Sequence, residues 1–363
     1  MDLPGMTPSP MRIAVDAMGG DLGPDEVVRG VLKAARERSF TARFIVVGDQ
    51  ALLRKELSLH RNVPESVVIH HASQIIEMGD KPREVYRKKP DASIVVAARL
   101  VKEGEADAFL SIGNSGAAMA AAIFALRPLC GIDRPAIATA IPSLRDPVVL
   151  LDAGANVDCS PRQLLDFAIM GQAYSRIVLG KEAPSVALLS NGEEESKGNE
   201  LVREAHALFK QHVRPFYGNI EGMDVFRGKA DVVVCDGFAG NVLLKTGEGV
   251  AEMVLNMVKQ ELNRYRWMKL ALLPLRKSIR NLRARIDYRE FGGAPLLGVN
   301  GVCIIGHGRS DAIAVANAIR VAETAVRNDL VGEIARSLKS ITGTSERTRQ
   351  PCEQEGGAHG GGS

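Results

Sequence analysis

A single lysine sits in acidic surroundings in LLSNGEEESKGNE, residues 188–200. There an apolar run reaches Asn191-Gly192, Glu193, Glu194 and Glu195 follow, and Lys197 lies between Ser196 and Gly198. An ammonium fixed at a strand end can neutralise an anion or a developing oxyanion. The alternative is an ordinary solvated turn. Five other loops carry residue types with comparable potential. DAMGGDLGP, from Asp16 to Pro24, has Gly19 and Gly20, whose freedom lets backbone N–H groups converge on an anion; it also reads as a tight turn between strand and helix. In SIGNSGAAMAAA, Asn114, Ser115 and Gly116 open a helix of small residues; close packing explains the alanines but not the Gly-Asn-Ser-Gly cluster.

LLDAGANVDCSP, residues 150–161, offers Asp152, Asn156, Asp158 and Cys159. Cys159 is either an acyl-carrying nucleophile or an inert thiol, and the absence of a histidine that sequence can place beside it favours the inert thiol. In CDGFAGNVLLKTGEG, Asn241 lies near a helix start, as an amide donor to a substrate oxygen or as a capping residue. In GHGRSDA, His307 is a candidate general acid or phosphate ligand, against a structural histidine at a strand end.

The elements that must hold these loops alternate along the chain. Strand-like runs RIAVDA, RFIVVG, SVVIHH, ADAFLSIG, AIATAIP, PVVLLDAG, SVALLS, ADVVVCDG and GVCIIG are interleaved with helical stretches. The helices expected are Pro24–Arg38, Ala92–Glu103, Ser115–Leu126, Pro161–Leu179, Asn199–Gln211 and Ser310–Arg327. That alternation predicts an α/β fold, Rossmann-like, with a mainly parallel sheet covered by helices on both faces and ligands at strand carboxyl ends. Ser160 followed by Pro161 reads as an N-cap with proline at the first helical position. A long helical stretch from about residue 250 to 286, broken by Pro274, predicts a protruding helical hairpin. Residues 1–10 and the Gly-rich tail 343–363 are expected to be disordered, leaving one domain over residues 11–342.

Composition excludes several classes. Hydrophobic residues at 45% and charged residues at 25% are ordinary for a globular protein. The five cysteines, Cys130, Cys159, Cys235, Cys303 and Cys352, form no CxxC pair, so reduced thiols and a cytoplasmic compartment are expected. Residues 1–10 hold three prolines and no apolar run, so no signal peptide is expected, and no run of about 20 apolar residues is found in the sequence. GHGRSD departs from GxGxxG at Asp311, and GMDVFRGKA misses the P-loop spacing, so no nucleotide cofactor is expected; no HExxH or Cys/His set points to a metal. The net charge of +3 hides an asymmetry: eight basic and no acidic residues lie between Arg264 and Arg285, which leaves the rest of the chain net acidic. Without a nucleic-acid-binding motif, that cluster does not point to nucleic acid.

Taken together, IAVDAMGGDLGP, LVKEGEADAFLSIGNSGA, GIDRPAIAT, LLDAGANVDCSPRQLLDFAIMGQAY, GEEESKGNE, GKADVVVCDGFAGNVLLKT and FGGAPLLGVNGVCIIGHG resemble, in order, the PlsX-type phosphate acyltransferases of bacterial phospholipid synthesis. The resemblance spans roughly residues 12 to 328. Ser190, Asn191, Ser196 and Arg309 depart from the family's pattern. It implies reversible transfer of a long-chain acyl group from acyl carrier protein to inorganic phosphate, in a homodimer at the membrane face. Its fold would be related to phosphate acetyltransferases and isocitrate/isopropylmalate-type dehydrogenases. The acyl phosphate product would go to an acyl-phosphate-using glycerol-phosphate acyltransferase.

Hydrogen phosphate is already nucleophilic and a thiolate leaves readily, so the reaction needs anion binding and oxyanion stabilisation more than a strong base. Lys197 is then the expected cation and Asn241 the neutral donor. Asp16, Gly19, Gly20, Asn114, Ser115, Gly116, Asn156, Asp158 and His307 are the expected surrounding phosphate and substrate contacts; Glu193, Glu194 and Glu195 are expected to hold the loop and orient Lys197 through hydrogen bonds, with a simply solvated Glu195 as the alternative. At the hairpin tip, Trp267, Leu270, Leu272, Leu273 and Leu275 among basic residues suit an anionic membrane interface, an acidic carrier, or packing on a dimer partner. Two other functions fit less of the pattern: a short-chain phosphate acyltransferase using acyl-coenzyme A, and a non-catalytic membrane adaptor.

Overall fold

The computed structural model describes residues 10–37, 42–77, 80, 82–264 and 292–342. The expectations for the terminal segments 1–9 and 343–363 lie outside the described residues, as do Trp267, Leu270, Leu272, Leu273 and Leu275 of the hairpin tip.

In chain order the elements are β1 (Arg12–Asp16), α1 (Pro24–Arg36), β2 (Arg43–Gly48), α2 (Gln50–Ser58), β3 (Val67–His71), α3 (Pro82–Lys88), α4 (Ser93–Lys102), β4 (Ala108–Ser111) and α5 (Ser115–Leu126). Then come β5 (Ala136–Ile141), β6 (Val148–Leu151), α6 (Pro161–Ile177), β7 (Val186–Leu189), α7 (Glu200–His212), β8 (Phe216–Ile220), α8 (Gly222–Arg227) and β9 (Val232–Val234). Last are α9 (Gly237–Arg264), β10 (Ala294–Leu297), β11 (Val302–Ile305), α10 (Ala312–Arg327) and α11 (Leu330–Thr342).

All the strands join one sheet in the order β3-β2-β1-β4-β11-β10-β5-β6-β9-β7-β8. Alternate residues of each strand serve opposite faces, as a two-residue period requires. Ile13 and Val15 join Val149 and Leu151 in a core beneath α1, α6, α10 and α11. Ala14 faces the other way, beneath α4 and α5. Val148 and Leu150 pack with Ile220 and Val225 against Leu243 and Leu244 of α9. Helix α1 approaches α10 so closely that a Cβ on Gly30 would lie 2.5 Å from Val315 Cβ.

Two strands escape the sequence reading. β8, FYGNI, is an edge strand with only its last two residues buried, so its apolar signal is weak. β10, APLL, carries a proline and lies among glycines, which disguises it as a loop. Its position matters, because β10 pairs antiparallel with both β11 and β5, and β5 pairs antiparallel with β6. Three successive reversals make β6, β9, β7 and β8 run opposite to β1 to β4 and β11. The strand carboxyl ends therefore fall into two groups at opposite ends of the strand axes.

The start of α6 is built as its sequence predicts. Ser160 caps α6 in a reciprocal box with Gln163, with Pro161 opening the helix. Cys159, Cys235 and Cys303 are free thiols. Cys130 is disulfide-bonded, so the expectation of reduced thiols does not hold at that position. Among the described residues no helix is long and apolar enough to cross a membrane, and no cluster of three His, Cys, Asp or Glu could hold a metal ion.

Candidate active site

Strands β6, β9 and β7 lie side by side, parallel and in register, with Leu151 opposite Val234 and Val234 opposite Leu188. Their carboxyl ends release the three loops that carry Asp152, Asn241 and Lys197 from one edge. Asp152, fully buried, is the anchor of the first loop. Its Oδ1 accepts from the N–H groups of Ile137, Gly154 and Ala155 at 3.0–3.1 Å. Its Oδ2 accepts from the Asn156 N–H at 2.6 Å and from Asn156 Nδ2 at 2.9 Å. Burial pushes the carboxyl above its ordinary value while these donors pull it back. A site of donors alone suits the ionised form.

This loop in turn locks the start of α9. Gly237 N–H donates to Asn156 O at 2.7 Å, and Asp236 caps the helix by accepting from Ala239 N–H at 2.8 Å. Gly240 sits so tightly on the Asp152 carbonyl that a Cβ there would lie 1.9 Å from that oxygen. Asn241 follows, in the second turn of the helix, so it does not cap the start of α9. Its exposed side chain lies over Gly154, with Oδ1 3.6 Å from where a Cβ of that glycine would stand.

In the third loop the acidic run is engaged elsewhere. Glu193 pairs with Lys229 at 2.5 Å, and Lys229 also holds Asp224 at 3.0 Å. Glu195 pairs with Lys210 at 2.7 Å. The expectation that all three glutamates orient Lys197 is thus corrected: only Glu194 acts on it directly, and through the main chain, its carbonyl accepting the Lys197 N–H at 3.0 Å. Asn191 Oδ1 accepts from Gly198 N–H at 2.9 Å and closes the loop. The aliphatic stem of Lys197 covers Gly192, where a Cβ would stand 2.8 Å from Lys197 Cγ. The ammonium is exposed and forms no ion pair among the described residues. A strand end amid acidic residues therefore presents an uncommitted positive charge.

Cys159 is half-buried, its thiol 3.4 Å from Asn156 O. Burial and the nearby Asp152 carboxylate push the thiol up to about 11, while the Arg134 guanidinium acts in the opposite direction. Burial drives Cys235 well above the ordinary thiol range. Neither environment activates a nucleophile. Arg134, exposed and near this group, is a second cation that sequence reasoning did not single out; its lead was the Asp133-Arg134-Pro135 run beside β5. Asn156 is buried with both amide N–H bonds committed, to Asp152 and to Pro135 O, so it braces the loop and has no donor left for an anion. Asp158 is exposed on the same loop.

The other expected contacts assemble at the second group of strand ends. Asp16, buried, accepts from Ser111 Oγ at 2.7 Å and from Met18 N–H at 3.1 Å, and burial raises its pKa. Gly19 lies against Gly113, where a Cβ would meet backbone at 2.9 Å, and a Cβ on Gly20 would lie 2.8 Å from Ile112 Cδ1. Asp21 N–H donates to Gly308 O at 2.8 Å, bringing in the exposed His307. Asn114 caps α5 by accepting from Ala117 N–H; Ser115 is exposed beside it and Gly116 packs near Pro82. No hydrogen bond among the described residues joins this group to Lys197, Asn241 or Asp152. The antiparallel pairings around β10 and β5 thus release these loops from strands that run opposite to β6, β9 and β7.

The family model described as fatty acid synthesis protein matches residues 11–332. A phosphate acyltransferase of Geobacter sulfurreducens is 49% identical over 330 residues, 91% of this chain and 95% of that protein. Among solved structures, a phosphotransacetylase from Streptococcus pyogenes aligns at TM-score 0.59 and 17% identity, covering 88% of this chain and 94% of that one. A branched-chain phosphotransacylase from Enterococcus faecalis aligns at TM-score 0.54 and 17% identity, covering 88% of this chain and all of that one. These two likenesses establish a shared fold.

Two outcomes follow from the loop geometry. Asp152→Asn turns an amide against N–H donors and should lower the free energy of unfolding in urea by about 3 kcal/mol; an unchanged midpoint would remove Asp152 as the anchor. A thiol titrating near 11 rather than its ordinary 9.0 should make Cys159 alkylate about 100-fold more slowly at pH 8 than an unperturbed cysteine. The rate should climb as pH rises towards 11, read by mass spectrometry of the iodoacetamide-treated protein.

Proposed function

Since the chain belongs to the fatty acid synthesis protein family of phosphate acyltransferases, we propose that it transfers a long-chain acyl group reversibly between acyl carrier protein and inorganic phosphate. The observation that carries this reading is the exposed Lys197 ammonium, without an ion pair among the described residues, at the strand edge shared with Asn241. A phosphate oxygen attacks the thioester carbonyl carbon, the carbonyl becomes an oxyanion, and collapse breaks the C–S bond. The carrier thiolate departs and takes a proton from solvent. Lys197 neutralises the phosphate or the oxyanion, and the Asn241 amide donates to the same charge. No base is required, because the nucleophile is ionised at neutral pH and the leaving thiol is acidic enough to depart as thiolate.

Asn114, Ser115 and Gly116 at the start of α5, with Gly19 and Gly20, remain donors to a second part of the substrate. The α5 start is the more suitable of the two nearby helix starts for an anion. Its cap is neutral and its first turn holds no acid, whereas α10 is capped by Asp311 and its Ala312 N–H donates to Glu26.

The proposed homodimer is supported by α9. Val250, Met253, Val254, Met257 and Val258 recur at helical spacing and are 48–58% exposed, an apolar stripe that water disfavours. The basic, leucine-rich segment beyond α9 supports peripheral attachment to the inner face of the cytoplasmic membrane and reception of an acidic carrier. The product, an acyl phosphate, calls for an acyltransferase that consumes it, of the kind that acylates glycerol phosphate.

The donor assay tests the reading. Phosphate-dependent loss of a long-chain acyl carrier thioester is expected, with little turnover of acetyl- or butyryl-coenzyme A; the reverse preference would select the short-chain enzyme. Lys197→Ala should nearly abolish acyl phosphate formation, and Asn241→Ala should reduce turnover about 10²- to 10³-fold with the fold intact by circular dichroism. Near-normal turnover of folded Lys197→Ala would remove the central role of that lysine.

A further inference from the structure

Asn219 lies on β8, next to the strand that leads into the Lys197 loop, and is 2% exposed. Its amide is committed at both ends. Nδ2 donates to the Glu194 carbonyl at 3.0 Å, and Oδ1 lies 2.9 Å from His206 Nδ1. The Glu194 carbonyl is the same oxygen that accepts the Lys197 N–H at 3.0 Å. A carbonyl can only accept, so the amide must face it with nitrogen and face His206 with oxygen; His206 Nδ1 therefore carries the proton and donates. The other ring nitrogen lies 3.6 Å from Glu195, which Lys210 holds. The imidazole, 6% exposed on α7, meets Phe216 edge-on at 5.0 Å. Its plane is thus set by packing before any substrate arrives.

This buried chain ties the turn through the Glu194 carbonyl, while Glu195 is held by Lys210. An apolar side chain could fill the Asn219 position without the cost of burying an amide. What the amide adds is a fixed hydrogen bond to the one carbonyl that also receives the Lys197 backbone. Neither residue belongs to the reacting set: both lie beneath the loop, and Lys197 lies on its exposed side.

We infer that Asn219, oriented by His206, is a positioning residue that sets the turn carrying Lys197, through the Glu194 carbonyl that both Asn219 and the Lys197 N–H share. The inference rests on the reading of Lys197 as the cation for phosphate chemistry. Asn219→Asp keeps the size and the acceptor for His206 but removes the donor to Glu194. His206→Asn retains a nitrogen donor near the Nδ1 position, whereas His206→Gln shifts it toward the Nε2 position.

The test is a double-mutant cycle on phosphate-dependent loss of acyl carrier thioester, comparing Lys197→Ala, Asn219→Asp and the double variant. Misplacing the turn should lower kcat/KM for phosphate about 10- to 100-fold in Asn219→Asp, with KM for the acyl donor unchanged. The double variant should be no slower than Lys197→Ala alone. His206→Gln should show the same phosphate-specific loss, and His206→Asn should recover most of it, which global destabilisation would not reproduce. Should Asn219→Asp fail to fold, the His206 pair still decides. A wild-type rate in Lys197→Ala would overturn the reading of the lysine itself. A large Lys197→Ala loss, with Asn219→Asp near wild type or fully additive to it, would overturn the clamp alone. Equal activity of His206→Asn and His206→Gln would also overturn it.

Discussion

At the carboxyl end of β6, one buried carboxylate receives five N–H bonds, and the neighbouring loop geometry depends on them. Asp152 gathers the Gly154–Asn156 turn, reaches across to β5 through Ile137, and presents its own carbonyl to Gly240 of α9. The first turn of α9 can seat there because Gly240 has no side chain. Asn241 then projects over Gly154 with its amide exposed. A charge that never meets substrate thereby fixes a neutral donor that can.

The Lys197 loop solves a different electrostatic problem. A cation beside three glutamates would ordinarily be neutralised by them, and such a pair at an exposed site would contribute little. Here Lys229 and Lys210 engage Glu193 and Glu195, while Glu194 contributes its main chain. The Lys210 pairing and its hydrogen bond hold Glu195 below the usual carboxylate range, so that side chain stays ionised and engaged. The acidic run thus anchors the loop to α7 and to the turn after α8 without cancelling the Lys197 charge. Exposure leaves the ammonium open to a dianion, and the stem packed on Gly192 limits where it can point.

The chemistry of individual loops was legible in the sequence because it is local: a lone lysine at a strand end, an asparagine before a small-residue helix, a Ser-Pro helix start. The pairing partners were not. Lys229 lies 36 residues from Glu193, and Lys210 lies 15 from Glu195, so only the packing of α7, β8 and β9 brings them together. Asn219 was hidden in FYGNI, a strand too irregular to announce itself by alternation. The two directions of the strands that carry the loops were hidden for the same reason. Local periodicity marks β5 and β6 as strands but does not carry their direction, and Pro295 and the surrounding glycines hid β10, whose pairings contribute two of the three reversals. The fold class survived this because a largely parallel sheet remains on either side of the reversals.

The account comes down to where inorganic phosphate binds, and a crystal structure of the protein soaked in phosphate measures that directly. Phosphate is expected at the carboxyl ends of β6, β9 and β7, within hydrogen-bond reach of the Lys197 ammonium. Phosphate held at the start of α5 by Asn114 and Ser115, with the Lys197 ammonium turned to solvent, would contradict it.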